Sequence, residues 1–154
     1  MSGLVLQKQP AITTDPAFLV LKQLVGGKWR GKTANGLKVE FRFNLEQNGT
    51  LLVGKGGVAL DTKHPFPMRS SIGWDPAAKK LYYLDQHGND TVYFGHVTKE
   101  GDQLVWDFKG LSGDQGHYKS LQKMTQNEYS STMRAEKDGK WVDLGFHLAL
   151  HRVR

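Results

Sequence analysis

The stretch Leu37-Lys38-Val39-Glu40-Phe41-Arg42-Phe43-Asn44-Leu45-Glu46 decides the fold. Apolar and polar residues alternate through it without a break. Side chains of a β-strand project to opposite faces in turn. Leu37, Val39, Phe41, Phe43 and Leu45 therefore share one side, and the charged and amide residues share the other. Such a strand has one face in a core and one in water. Asn48-Gly49 follows, the pair best suited to a tight hairpin turn. The next run, Thr50 to Val58, carries Gly54, Gly56 and Gly57, and glycines inside a strand predict a bulge or the sharp bend of a barrel corner.

Upstream, one helix is legible. Asp15 is a good N-cap, Pro16 suits the first helical position, Ala17 to Val25 is apolar, and Gly26-Gly27 ends the run. Lys28 to Thr33 then starts the period-two pattern. Downstream, Ala59 to Met68, with Pro65 and Pro67, reads as a loop. Beyond it turn residues recur at short intervals between Arg69 to Trp74, Lys80 to Asp85, Thr91 to Thr98, Gln103 to Lys109, His117 to Met124, Glu128 to Glu136 and Trp141 to Arg152. About ten short strands joined by local turns predict an all-β, up-and-down antiparallel barrel with one short N-terminal helix. Closure removes the exposed edges that an open sheet of this size would present. Residues 1–14 read as a tail and 15–154 as a single barrel domain.

The 154 residues carry 21 Lys and Arg against 15 Asp and Glu, a net charge of +6, and no cysteine. The lack of cysteine excludes disulfides, thiolate metal sites and cysteine nucleophiles. The basic residues are spread thinly, as on a solvated face, so nucleic acid is not the expected partner. No segment reaches the roughly 20 apolar residues of a membrane-spanning helix. Met1 to Pro10 holds only Leu4, Val5 and Leu6 as an apolar run, too short for the core of a signal peptide. The cytoplasm is the default expectation, and the periplasm or the cell exterior follows if a signal has been removed.

Gly27-Lys28-Trp29 at the head of the strand pattern, with Arg152 on the last strand, resembles the signature of the calycin group of lipocalins and fatty-acid-binding proteins. The resemblance implies a closed barrel end formed by Gly27, Trp29 and Arg152, where the Trp29 indole lies under the Arg152 guanidinium. Three segments are similar to a bacterial family of lipocalin-like domains of unknown function: residues 24–31, Ile72-Gly73-Trp74-Asp75-Pro76, and Gly139-Lys140-Trp141. That similarity implies a fold and supplies no catalytic residue. The ending His147-Leu148-Ala149-Leu150-His151 resembles the last strand of nitrobindin-like haem barrels, which would make His147 an iron ligand. The glycine-rich opening of those proteins is absent, and the apolar parity of Leu144, Phe146, Leu148 and Leu150 turns His147 and His151 outward.

Neither a metal nor a cofactor is called for. His147 and His151, four apart on a strand, stand about 13 Å from one another, too far to chelate. There is no nucleophile elbow, phosphate loop or paired carboxylate. The expected function is binding of a small, mostly apolar molecule inside the barrel, with Phe41, Phe43, Tyr83, His96, Trp106, Tyr118, Ser120 and Tyr129 as candidate lining residues. Asp85, Gln122 and Ser131 are further inward polar candidates. His96 is included because Val92, Phe94 and His96 form an apolar-leaning set, while Tyr93 and Val97 on the other side are apolar as well, so both faces of this strand are expected to be partly buried. The alternative functions are an enzyme using His96 and a neighbouring Tyr or Asp as an acid–base pair, and the haem barrel.

The face assignment of the deciding strand is testable by thermal denaturation. Phe41→Asp is expected to lower the midpoint well below that of Arg42→Asp, because only the first places a carboxylate among apolar neighbours. Equal losses would refute the assignment.

Overall fold

A computed structural model describes residues 11–154. Ten antiparallel strands form one closed barrel: β1 (Lys28–Lys32), β2 (Lys38–Glu46), β3 (Leu51–Val58), β4 (Phe66–Asp75), β5 (Lys80–His87), β6 (Thr91–Glu100), β7 (Gln103–Ser112), β8 (His117–Met124), β9 (Glu128–Lys137) and β10 (Lys140–Val153). Each strand pairs with the next in sequence, and β10 returns to pair with β1. Among the described residues no helix is long and apolar enough to cross a membrane.

The deciding strand runs as its alternation predicts from Val39 onward; it starts at Lys38, and Leu37, expected on the buried face, precedes it and is 42% exposed. Val39 is buried and Phe41, Phe43 and Leu45 face the interior, while Arg42 and Asn44 are exposed. The glycines of β3 serve close approach. A β-carbon on Gly54 would stand 2.7 Å from the Phe43 ring, so the bare backbone there gives the large ring of β2 room to lie across the neighbouring strand.

Several boundaries differ from the sequence reading for identifiable reasons. The first ten residues of the N-terminal tail, including Leu4 to Leu6, lie outside the described residues. Ala11–Thr14 forms a 3-10 turn whose Ile12 is 1% exposed, so packing against the barrel begins before Asp15. The α-helix, α1, spans only Pro16–Leu21. Asp15 caps it, with Oδ1 accepting from the amides of Ala17 and Phe18 at 3.0 and 3.1 Å. The chain then tightens into a 3-10 turn over Lys22–Leu24, and Val25 bridges to Phe43. β4 starts at Phe66, inside the expected loop. Pro67 is tolerated as its second residue, where its carbonyl accepts from Gly88 N at 2.8 Å. β7 continues to Ser112, with a register shift opposite Val92 and Tyr93 that leaves Leu111 unpaired.

One end of the barrel is sealed. Leu52, Ile72, Leu81, Val97 and Leu104 point inward in one layer, each 0–1% exposed, and Ile12, Phe18, Leu21 and Leu24 cover them. Burying each large apolar side chain contributes roughly 1.5–3 kcal/mol. Trp29 completes the seal, fully buried, its Nε1–H donating to Leu24 O at 2.8 Å. Arg152, its direct cross-strand partner, stands over the indole with the guanidinium carbon 4.6 Å from the ring centroid. The same guanidinium donates to the carbonyls of Val25 (3.0 Å), Gly26 (2.6 Å), Gln126 (2.8 Å) and Gln23. Gly27, at φ +69, permits this packing, since a β-carbon there would stand 2.8 Å from Val153 O.

Arg152→Ala is expected to lose the stacking and leave several carbonyls short of a donor, at a cost of about 1–3 kcal/mol in urea denaturation. Arg152→Lys should recover part of the loss, because an ammonium lacks the planar fork. Arg154→Ala should change little, as the residue is exposed beyond the last strand. An unchanged midpoint for Arg152→Ala would show that the contact does not hold the end shut.

Candidate functional site

Above the sealed layer the barrel encloses a cavity of about 590 Å³. Its two sides differ in chemistry. Val39, Phe41, Phe43, Val58, Met68, Leu148 and Leu150, from β2, β3, β4 and β10, make an apolar wall. The facing wall, on β5 to β9, mixes aromatic and polar groups. Tyr83 sits edge-on to Trp106 with centroids 4.6 Å apart and to Phe108 at 5.8 Å, and Tyr93 is edge-on to Phe108 at 5.5 Å.

Three hydrogen-bonded groups punctuate this wall. Asp85, 4% exposed, receives the Tyr83 hydroxyl and His87 Nε2, the latter at 2.5 Å, both on Oδ2. These three residues stand at i, i+2 and i+4 of β5 and so share the inner face. Burial pushes the Tyr83 phenol well above its ordinary pKa, and the adjacent Asp85 charge adds to the effect. Nearer the mouth, Asp114 Oδ2 accepts from Tyr118 at 2.5 Å and Tyr93 at 2.9 Å, while its Oδ1 accepts from Gly116 N at 2.7 Å. The Tyr118 hydroxyl and the Gly116 amide hold Asp114 below the usual carboxylate range. In return the bond to Asp114, with burial, pushes Tyr118 up to about 12. Deeper, Ser120 Oγ lies 2.8 Å from Ser131 Oγ and accepts from Gln122 Nε2 at 3.2 Å. Burial raises the phenol of nearby Tyr129.

Phe41, Phe43, Tyr83, Trp106, Tyr118, Ser120 and Tyr129 all line the cavity, together with Asp85, Gln122 and Ser131. His96 does not. The interior set of β6 is Tyr93, Gly95 and Val97, and His96 lies on the outer face with Nε2 2.9 Å from Asp75 Oδ2. The apolar character of Val92 and Phe94 points the wrong way because the outside of this strand carries its own aromatic contact. Phe94 stacks on Tyr82 of β5, with ring centroids 6.5 Å apart and planes at 17°. Gly95 faces inward and so contributes no apolar side chain to mark the true interior set.

His87 and Asp114 escape the sequence reading, in which Tyr93 is only an apolar residue on the strand of His96 and not a named lining residue. Extending the period-two pattern of Tyr83 and Asp85 by one step finds His87, which instead resembles the start of a turn. Asp114 lies in the connection after β7, where strand parity says nothing. His147 is exposed, and its inward neighbours are Phe146 and Leu148, so iron inside the barrel would not meet it. Among the described residues no three of His, Asp and Glu group to hold a metal ion. No protein-family model matches the chain, and no curated protein does.

The Asp114 cluster has a pH signature. A carboxylate held below its unfolded pKa stabilises the fold fully above the ordinary range near about 4, and the effect is lost as pH falls through the folded value. The thermal midpoint of Asp114→Asn should lie below wild type at pH 7, and the gap should close on acidification below about pH 4. A gap independent of pH would mean that the charge on Asp114 contributes nothing.

Proposed function

We propose that this barrel binds a small, mostly apolar molecule in its interior. The observation that carries the reading is the cavity itself: about 590 Å³, apolar on one wall, with a few convergent polar groups on the other. Volumes of 300–1,000 Å³ with that division of labour are typical of small-molecule sites. The aromatic edges of Tyr83, Trp106 and Phe108 supply contact area to a bound molecule at little conformational cost. We also take the chain as a lipocalin-like barrel, on the strength of Gly27-x-Trp29 under Arg152 and the meander of ten strands.

An acid–base enzyme in the same cavity is the second reading. The pairing of His87 with Asp85 favours it over any role for His96, because a carboxylate-oriented imidazole inside a cavity is suited to proton transfer. Binding needs only a cavity of this size with one apolar wall and a few polar groups, and it is the simpler reading.

Titration with the neutral fluorophore N-phenyl-1-naphthylamine tests it. Saturable enhancement at one fluorophore per chain is expected. Met133→Trp, which enlarges a half-buried lining side chain, should weaken binding by about tenfold or more while circular dichroism is unchanged. Non-saturable enhancement, or binding indifferent to Met133→Trp, would count against an interior site.

A further inference from the structure

Asp85 has donors on one oxygen only. The Tyr83 hydroxyl and His87 Nε2 both meet Oδ2, and Oδ1 accepts nothing from the protein. Although the residue is buried, 6% of its side chain stays open, and Asp85 lines the cavity. Oδ1 thereby differs from Trp106 Nε1 and Gln122 Oε1, which also lack partners but are shut away from any bound molecule. An ionised oxygen at the edge of an interior is costly until a donor meets it. His87 repeats the demand. With Nε2–H turned onto Asp85, Nδ1 of the neutral ring is an acceptor without a partner, on a side chain 24% exposed.

The nearby donors are already committed. The hydroxyl protons of Tyr83, Tyr93 and Tyr118 go to the two carboxylates, and Asp114 spends both oxygens on Tyr93, Tyr118 and the Gly116 amide. Charge points the same way. Although the chain is basic overall, none of the described lining residues is Lys or Arg, while Asp85 and Asp114 both line the space. A carboxylate ligand would bring a further acceptor and a like charge. A hydroxyl could donate to Oδ1 but would leave the negative charge uncompensated. An ammonium donates and compensates at once.

Resting on the binding function proposed above, we infer that the ligand is an amine with an apolar body, bound as its ammonium ion, which donates to Asp85 Oδ1. The body packs on the apolar wall to which Phe41, Phe43 and Leu148 belong. The Asp114 charge and the rings of the polar wall add attraction for a cation at longer range. His87 is the competitor within the protein, because a protonated ring would neutralise the same carboxylate.

Isothermal titration of the full chain at pH 8.5 with decylammonium, decyltrimethylammonium, 1-decanol and decanoate separates the possibilities. At that pH free imidazole is uncharged and an alkylammonium is not. Decylammonium is expected to bind about tenfold or more tightly than decanol, the effect of one charge-assisted hydrogen bond, and decanoate most weakly. Decyltrimethylammonium carries the charge without an N–H and should fall well short of decylammonium. Asp85→Asn should bring decylammonium down to the level of decanol. Its decanol affinity should stay within about twofold of wild type, which shows the cavity intact. If Asp85→Asn does not fold, the two cations in the unaltered chain decide the matter. Decanol or decanoate binding as tightly as decylammonium would overturn the ammonium assignment and leave interior binding standing. So would decyltrimethylammonium matching decylammonium, or an ammonium preference that survives Asp85→Asn. Binding of none of the four probes would remove interior binding and the ammonium assignment together.

Discussion

The guanidinium of Arg152 ties three parts of the chain together at the closed end of the barrel. It covers the face of Trp29, and its N–H groups reach the carbonyls of Gln23, Val25 and Gly26 on one side and Gln126 on the other. Those first three carbonyls lie past the end of the α-helix, Gln23 within the 3-10 turn and Val25 and Gly26 beyond it, where helix ends leave carbonyls short of donors. The short α1 is thus a consequence of the closure. The chain stops being α-helical at Leu21 because the following backbone is committed to Trp29 and Arg152. With that end shut, the layer of Leu52, Ile72, Leu81, Val97 and Leu104 stays dry, and the cavity above it has a floor.

The floor gives the cavity a direction. Immediately above the apolar layer come Trp106, Gln122, Ser120 and Ser131. Further out come the Asp85 and Asp114 clusters, with exposed apolar side chains at the rim. The polar groups are concentrated on consecutive strands, β5 to β9, while β2 and β10 supply aliphatic and phenylalanine surface. A molecule entering this space is oriented by that asymmetry as well as by its shape.

Much of the architecture was legible because a meander writes itself into local sequence. Alternation such as that of residues 37–46, punctuated by turn residues, carries strand number, order and facing together. The inward parity of Tyr83, Asp85, Tyr118, Ser120, Gln122, Tyr129 and Ser131 follows from the same period. Parity was ambiguous on β6, where both faces carry apolar residues, the outer face of Val92 and Phe94 mimics an interior, and Gly95 occupies an inward position. It was also silent on Asp114, whose position depends on the bulge at the end of β7 and on how the following connection folds back. The pairing deficits of Trp106 and Gln122 could not be read at all, since an unmet hydrogen bond exists only in three dimensions.

The closed ring has a consequence for how the chain reaches its native state. Nine of its pairings join neighbours in sequence and can zip as hairpins from their turns. The tenth, β10 to β1, must bring together residues from opposite ends of the barrel sequence such as Trp29 and Arg152, and with them Val25, whose carbonyl is 127 positions from the guanidinium that donates to it. It yields nothing until most of the other strands are in place. Until that last seam closes, β1 and β10 are bare edges with unpaired backbone groups, and another molecule in the same state offers the matching edge. The finished ring has no edge left to extend.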